Sequence, residues 1–150
     1  MASAVRKAEQ QMSEEDYFAL EKQTDTRHEY INGEVYAMVG GSFNHGRITQ
    51  NIASEIRHHL KGKPCEVFAE STKVKTPQAH QRSEYVYPDV VVDCSTQKAN
   101  DNTLTTPVLV VEVLSKSTHY RDKVTKRHIY QQITTLQEYV LVEQDVAEVI

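Results

Sequence analysis

Apolar positions along the chain recur with two different periods, and the changes between them divide it into elements. Ser13-Glu-Glu-Asp16 offers a hydroxyl to cap a free backbone N–H and puts acidic residues in a first turn. It leads into Tyr17, Phe18 and Leu20, which predicts a short helix. Asn32-Gly33 then stands between two β-prone runs, and both residues tolerate the positive φ of a tight turn, so residues 29–36 are predicted to form a hairpin. Gly40-Gly41-Ser42 interrupts the chain. After it Ile48, Ile52, Ile56 and Leu60 recur every fourth residue until Gly62 and Pro64, the signature of an amphipathic helix. Residues 65–71 read as a strand, and residues 73–84 as a polar loop with strand character reaching Val74. Residues 85–92 and 107–114 are apolar on successive residues, the pattern of strands covered on both faces in the middle of an α/β sheet, with a polar loop between them. Helical period returns from Arg121 to Ile133, residues 138–143 form a further strand, and residues 147–150 read as a strand that has only begun. The polar, aperiodic residues 1–12 are expected to be a flexible arm.

With 150 residues, one domain over residues 13–150 is the expectation, its architecture shortened at the C-terminus. No apolar run is long enough to cross a bilayer and the N-terminus has no secretory core, so the chain reads as cytoplasmic, without a membrane partner. Cys65 and Cys94 lack C-x-x-C spacing and sit beside apolar runs, which makes reduced, structural thiols the expectation. The net charge of −4 argues against non-specific coating of nucleic acid, which basic side chains drive. Local charge differs: the segment from Lys116 to His128 carries five Lys or Arg against the single carboxylate of Asp122. Such a run can meet a phosphate backbone or simply be a solvated helix face.

Strand alternation puts Glu112 on the face of Val108, Val110 and Leu114, aiming a carboxylate into an apolar layer. It must find a cation, find donors or take up a proton, and pairing with an arginine is as good a reading as a functional one. Asp89 raises the same question one strand earlier, beside Pro88, which has no backbone donor and suits an irregular point in a strand. If the two strands are neighbours the carboxylates converge, and at roughly 4 Å they repel by about 4 kcal/mol at an effective dielectric near 20. A bound Mg²⁺ or Mn²⁺, suited to hard oxygen donors, removes that penalty. On the following helix, Asp122, Lys126, Ile129, Tyr130 and Ile133 share one stripe. Because the isoleucines must face the sheet, Lys126 and Tyr130 are carried the same way. The ordinary alternative for Asp122 and Lys126 is a surface ion pair worth a few tenths of a kcal/mol. His45 opens the long helix on the side of Ile48 and Ile52, whereas His58 and His59 make no zinc motif. Glu29 and Glu34 flank the hairpin turn and are expected to be solvated. No phosphate-binding loop, dinucleotide fingerprint or serine-hydrolase elbow is present.

The order of pieces, with Pro88-Asp89 opening one strand, Glu112-Val-Leu-Ser115 ending the next and a helix and strand following, resembles the restriction-endonuclease-like PD-(D/E)xK superfamily. More narrowly it resembles the Uma endonuclease family. The matching stretches are residues 28–36, Asn44-His45-Gly46, residues 87–91 and 110–115, Arg121-Asp122 with Lys126 and Tyr130, and residues 136–142. The resemblance implies a mixed central β-sheet flanked by helices, with an N-terminal helix and β-hairpin. It also implies Mg²⁺- or Mn²⁺-dependent hydrolysis of DNA, with Asp89 and Glu112 as metal ligands, Lys126 as the third catalytic residue, and His45, Asp122 and Tyr130 as auxiliary residues. Leu114 occupies the place of the superfamily's usual lysine, and the Uma pattern carries that lysine on the next helix, at Lys126. A homodimer would suit cleavage of both strands. The competing reading is a catalytically inactive nucleic-acid-binding or interaction module that keeps the fold.

Overall fold

Two mixed sheets flanked by helices organise the chain in a computed structural model whose described residues are 11–77, 82–116 and 121–150, with Arg121 and Asp122 described by backbone alone. The first helix, α1 (Glu14–Gln23), begins where the cap motif places it. Ser13 Oγ accepts the Asp16 N–H at 3.1 Å, and Glu14, Glu15 and Asp16 occupy the first turn. Its inward residue Tyr17 stacks on Tyr30 and Tyr85, with ring centroids 5.0 and 5.4 Å apart. Lys73 Nζ lies 5.0 Å from the centre of the Tyr17 ring and 3.4 Å from a Glu21 oxygen, so ring faces and a carboxylate replace water around a buried ammonium. Glu21 also accepts the Tyr87 hydroxyl at 2.6 Å and the His28 N–H at 2.9 Å. Burial would raise its carboxyl pKa, but these hydrogen bonds and the Lys73 charge outweigh burial and hold it below the ordinary glutamate range.

The hairpin forms as expected from β1 (His28–Ile31) and β2 (Glu34–Ala37), with Asn32 at φ 54° and Gly33 at φ 79° in the turn. Gln11 and Met12, assigned from sequence to a flexible arm, are tied to it: Met12 N–H donates to the Gly33 carbonyl at 2.7 Å, and Tyr30 Oη donates to the Met12 carbonyl. Residues 1–10 lie outside the described residues. Three short strands complete this sheet: β4 (Lys73–Lys75), β5 (Tyr85–Val86) and β7 (Thr103–Leu104), in the order β2-β1-β5-β4-β7. The strand β7 corrects the expectation of an unbroken polar loop between residues 92 and 107. Its Leu104, opposite Val74 in a parallel pairing, supplies an isolated apolar anchor.

The second sheet holds β3 (Glu66–Ala69), β6 (Val90–Asp93), β8 (Pro107–Val113) and β9 (Glu138–Val142), in the order β3-β6-β8-β9. Its central strands are β6 and β8, antiparallel neighbours with Val90 opposite Val111 and Val91 opposite Val110. Residues 85–92, expected as one strand, are instead two strands in different sheets. Pro88 has no N–H to offer a ladder, and the Tyr87 N–H donates to a Glu29 carboxylate oxygen at 2.8 Å instead. Asp89 therefore sits at the crossing between sheets. The long helix α2 (Phe43–Leu60), capped by Ser42, packs on β3, β6 and β8. A π-helical turn (Arg121–Thr125) leads into α3 (Lys126–Gln131), whose Ile129 and Tyr130, with Ile133, join Val91 and Val110 in the core. Beyond β9, Leu141 and Ile150 exchange backbone hydrogen bonds at 3.0 and 2.8 Å, and Val149 pairs antiparallel with Val142 in a single bridge.

Cys65 and Cys94 form a disulfide, against the expectation of free thiols. The β3–β6 register, with Glu66 opposite Asp93, puts the next outward pair face to face, a relation that sequence spacing does not reveal.

Candidate active site

Backbone hydrogen bonds lace the two central strands together at their acidic residues. The Val113 N–H donates to Asp89 Oδ2 at 2.6 Å, and the Asp89 N–H donates to Glu112 Oε1 at 3.3 Å. Each acidic side chain is thus held by main chain next to the other. The second oxygen of Glu112 accepts Lys126 Nζ at 2.8 Å and the Tyr130 hydroxyl at 3.2 Å. Lys126 stands at the π-to-α junction of the last helix, and its ammonium also lies 2.7 Å from Glu29 Oε2. The side chains of Glu29, Glu112 and Lys126 are 0%, 4% and 3% exposed. One buried ammonium therefore serves two buried carboxylates, and Oε1 of Glu29 is buried with no hydrogen-bond partner among the described residues. Such an arrangement has a surplus of negative charge that favours a cation nearby.

Asp89 Oδ1 faces the other way, 3.2 Å from His45 Nε2 in the first turn of α2. Glu70, just past β3, completes a group with His45 and Asp89 whose candidate ligand atoms all lie within 4.8 Å of one another. Two carboxylates and an imidazole at that spacing fit a divalent cation by donor type, with the oxygens favouring Mg²⁺ or Mn²⁺. Gly41 shapes this side of the site. A Cβ built there would come within 2.8 Å of the His45 ring, so only glycine lets the imidazole lie against the loop.

Asp89, Glu112, Lys126, Tyr130 and His45 are all brought to one place, while the side chain of Asp122 lies outside the described residues, as do residues 117–120 of the basic segment. Glu112 is directed at Lys126 and Tyr130, whereas the group clustered with Asp89 consists of His45 and Glu70. Glu29 corrects an expectation. It is fully buried rather than solvated, because on β1 it shares a face with Ile31, which is 2% exposed. The same alternation that singled out Glu112 could have found it. Glu70 carries no such signal, being exposed in a turn after a short strand.

A mixed sheet with an acidic residue at the start of one central strand, another on its neighbour and a lysine on the next helix defines a restriction-endonuclease-like fold. The chain superposes with a TM-score of 0.64 on the crystal structure of a "putative nuclease belonging to DUF820" from Anabaena variabilis ATCC 29413, at 22% identity, covering 85% of this chain and 78% of that one. Residues 14–150 match the Uma2 family, described as "Putative restriction endonuclease", and the chain belongs to that family. Two relatives come from Synechocystis sp. (strain ATCC 27184 / PCC 6803 / Kazusa). One, "Uncharacterized protein slr1290", is 36% identical over 139 residues, 92% of this chain and 72% of the relative. The other, "Uncharacterized protein sll1609", is 33% identical over 132 residues, 86% of this chain and 73% of the relative.

Proposed function

We propose that this protein is a metal-dependent endonuclease that hydrolyses DNA phosphodiester bonds at the Asp89–Glu112–Lys126 site. The observation that carries the reading is the position of Glu112, joined to the Asp89 backbone on one side and to the Lys126 ammonium on the other. Asp89 and Glu112 would hold Mg²⁺ or Mn²⁺, with His45 and Glu70 as further donors on the Asp89 side. A cation held there supplies Lewis acidity and makes water a competent nucleophile at neutral pH. The protein's own groups do the rest. Lys126 presents a fixed positive charge beside the carboxylates, where it stabilises charge developing on the phosphate oxygens in a dry setting. Glu29 holds that ammonium in place through Oε2, and Tyr130 orients Glu112 through its hydroxyl.

The test is cleavage of supercoiled plasmid, single-stranded DNA and RNA with Mg²⁺ or Mn²⁺, by wild type and by Asp89→Ala, Glu112→Ala and Lys126→Ala. DNA nicking that all three substitutions abolish is the expected result. Retention of DNA without cleavage would favour the alternative, an inactive binding module. Variants that cut as well as wild type would remove the site from the reaction.

A further inference from the structure

The first turn of α2 carries His45 to Asp89, yet the chain leading into that turn buries nothing. Residues 39–44 are all exposed, Gly40 and Gly41 precede the helix cap, and the buried residue of α2 is Thr49, one turn beyond His45. Two successive glycines leave the backbone many conformations to lose. The ties that hold this turn are polar, and several of them come from one residue distant in sequence.

Gln144, just past β9, makes three hydrogen bonds. Its side-chain nitrogen donates to the Leu114 carbonyl at 2.8 Å, its side-chain oxygen accepts the Ser42 hydroxyl at 3.1 Å, and its backbone carbonyl accepts the Asn44 side-chain amide at 3.2 Å. The orientation of the amide follows from its partners, since the Leu114 carbonyl can only accept. Ser42 Oγ in turn accepts the His45 N–H at 3.1 Å, so the hydroxyl serves the helix on one side and Gln144 on the other. Leu114 follows Val113, whose N–H donates to Asp89 Oδ2, and Asp89 Oδ1 lies 3.2 Å from His45 Nε2. These contacts close a circuit that runs from Leu114 through Gln144, Ser42, His45 and Asp89 to Val113 and back.

The ordinary explanation for such bonds is capping of α2. A cap needs only the Ser42 oxygen as acceptor, and water can take the proton that its hydroxyl donates. Gln144 receives hydrogen bonds from two side chains of this turn and satisfies none of the helix's free backbone N–H groups. Capping also leaves its third bond unexplained, the one to the strand end two residues past Glu112. What Gln144 adds is a fixed distance between the helix that bears His45 and the strand that bears Glu112, joining partners 102 and 30 residues away in the chain.

We infer that Gln144 is a positioning residue of the site: by tying the first turn of α2 to the end of β8, it sets the His45 imidazole against Asp89. The inference rests on the metal reading for what His45 does once placed, as a donor to the cation. An outer partner that fixes the orientation of a metal ligand is worth roughly ten- to a hundredfold in affinity.

The test uses Gln144→Met, which keeps length and bulk and loses both side-chain hydrogen bonds. Titration calorimetry with Mn²⁺ should show binding weakened by about tenfold. In a His45→Ala background the same substitution should change the affinity by less than about twofold, because a residue that acts through another has nothing left to act on. Ser13→Ala, which removes the cap of α1, controls for lost stability and should leave Mn²⁺ affinity unchanged. Crystals of metal-free wild type and Gln144→Met supply a readout that needs no cation, with His45 Nε2 beyond hydrogen-bonding distance of Asp89 in the variant alone. Wild-type affinity in Gln144→Met, an equal loss in both backgrounds or in Ser13→Ala, or a variant crystal with His45 unmoved overturns the inference. If wild type takes up no Mn²⁺, the metal reading fails, and the crystals alone decide whether Gln144 places His45.

Discussion

Lys126 is the residue on which the buried charges balance, so its removal should be felt first in stability. Lys126→Ala leaves Glu29 and Glu112 facing each other in a dry site, and an unfolding midpoint in urea should report a loss of roughly 3–5 kcal/mol. Combining Lys126→Met with Glu29→Gln and Glu112→Gln removes the charges together and should recover most of that loss. Cleavage should not return, which separates the structural role of the cluster from the catalytic role proposed for it. Gly41→Ala is expected to do the reverse. It drives a methyl into the His45 ring and should weaken Mn²⁺ binding, measured by titration calorimetry, while the melting temperature changes little. At this scale the sequence was informative wherever a polar residue broke an apolar alternation. Glu112 was legible for that reason, as was Lys126 through its stripe with Ile129 and Ile133. Glu29 obeys the same rule, but β1 is four residues long and only Ile31 shares its face, so the pattern was too short to stand out beside a turn. Glu70 and the Cys65–Cys94 bond depend on how β3 meets its neighbours, and no local pattern encodes that.

The elements themselves were largely written in caps, turns and periods: α1 from Ser13, the hairpin from Asn32-Gly33, α2 from its fourfold repeat, β8 and β9 from continuous apolar runs. What escaped was the break at Pro88, where one apolar run serves two sheets, and β7, whose two residues pair only through a distant partner. Element stability should carry a pH signature through α1. The Glu21 carboxyl is held below its ordinary value of 4.5 in the folded state, so its contribution is fully present above that value and is lost as pH falls through the lower, folded pKa. Unfolding midpoints measured from roughly pH 6 down to pH 3 should therefore fall, and Glu21→Gln should flatten that decline. Burial pushes the Tyr87 hydroxyl above its ordinary range, with the Glu21 hydrogen bond adding to it, which gives the opposite limb: stability is present below a pH of about 10 and lost above it. The disulfide joins β3 to the strand that follows Asp89. By closing a loop across 29 residues of separation it should add about 3.6 kcal/mol, seen as a lower urea midpoint for Cys65→Ser/Cys94→Ser.

Over the whole molecule, the two sheets meet where the chain leaves β5 for β6, and the acidic residue at that crossing is the one on which the site converges. The first sheet supplies Glu29, the second supplies Glu112, α2 brings His45 and α3 brings Lys126 and Tyr130, so both sheets and two of the helices contribute to the site. Among the described residues no helix is long and apolar enough to cross a membrane. Membership of the Uma2 family gives the class of chemistry, and the position of the charges suggests how it is done. The most direct measurement is a crystal soaked in Mn²⁺ and examined by anomalous scattering. One strong peak against Asp89, within reach of His45 and Glu70 or of Glu112, and lost in Asp89→Asn, is expected. No peak at Asp89 under saturating Mn²⁺, or an equal peak in Asp89→Asn, would contradict the claim that these side chains form a metal site.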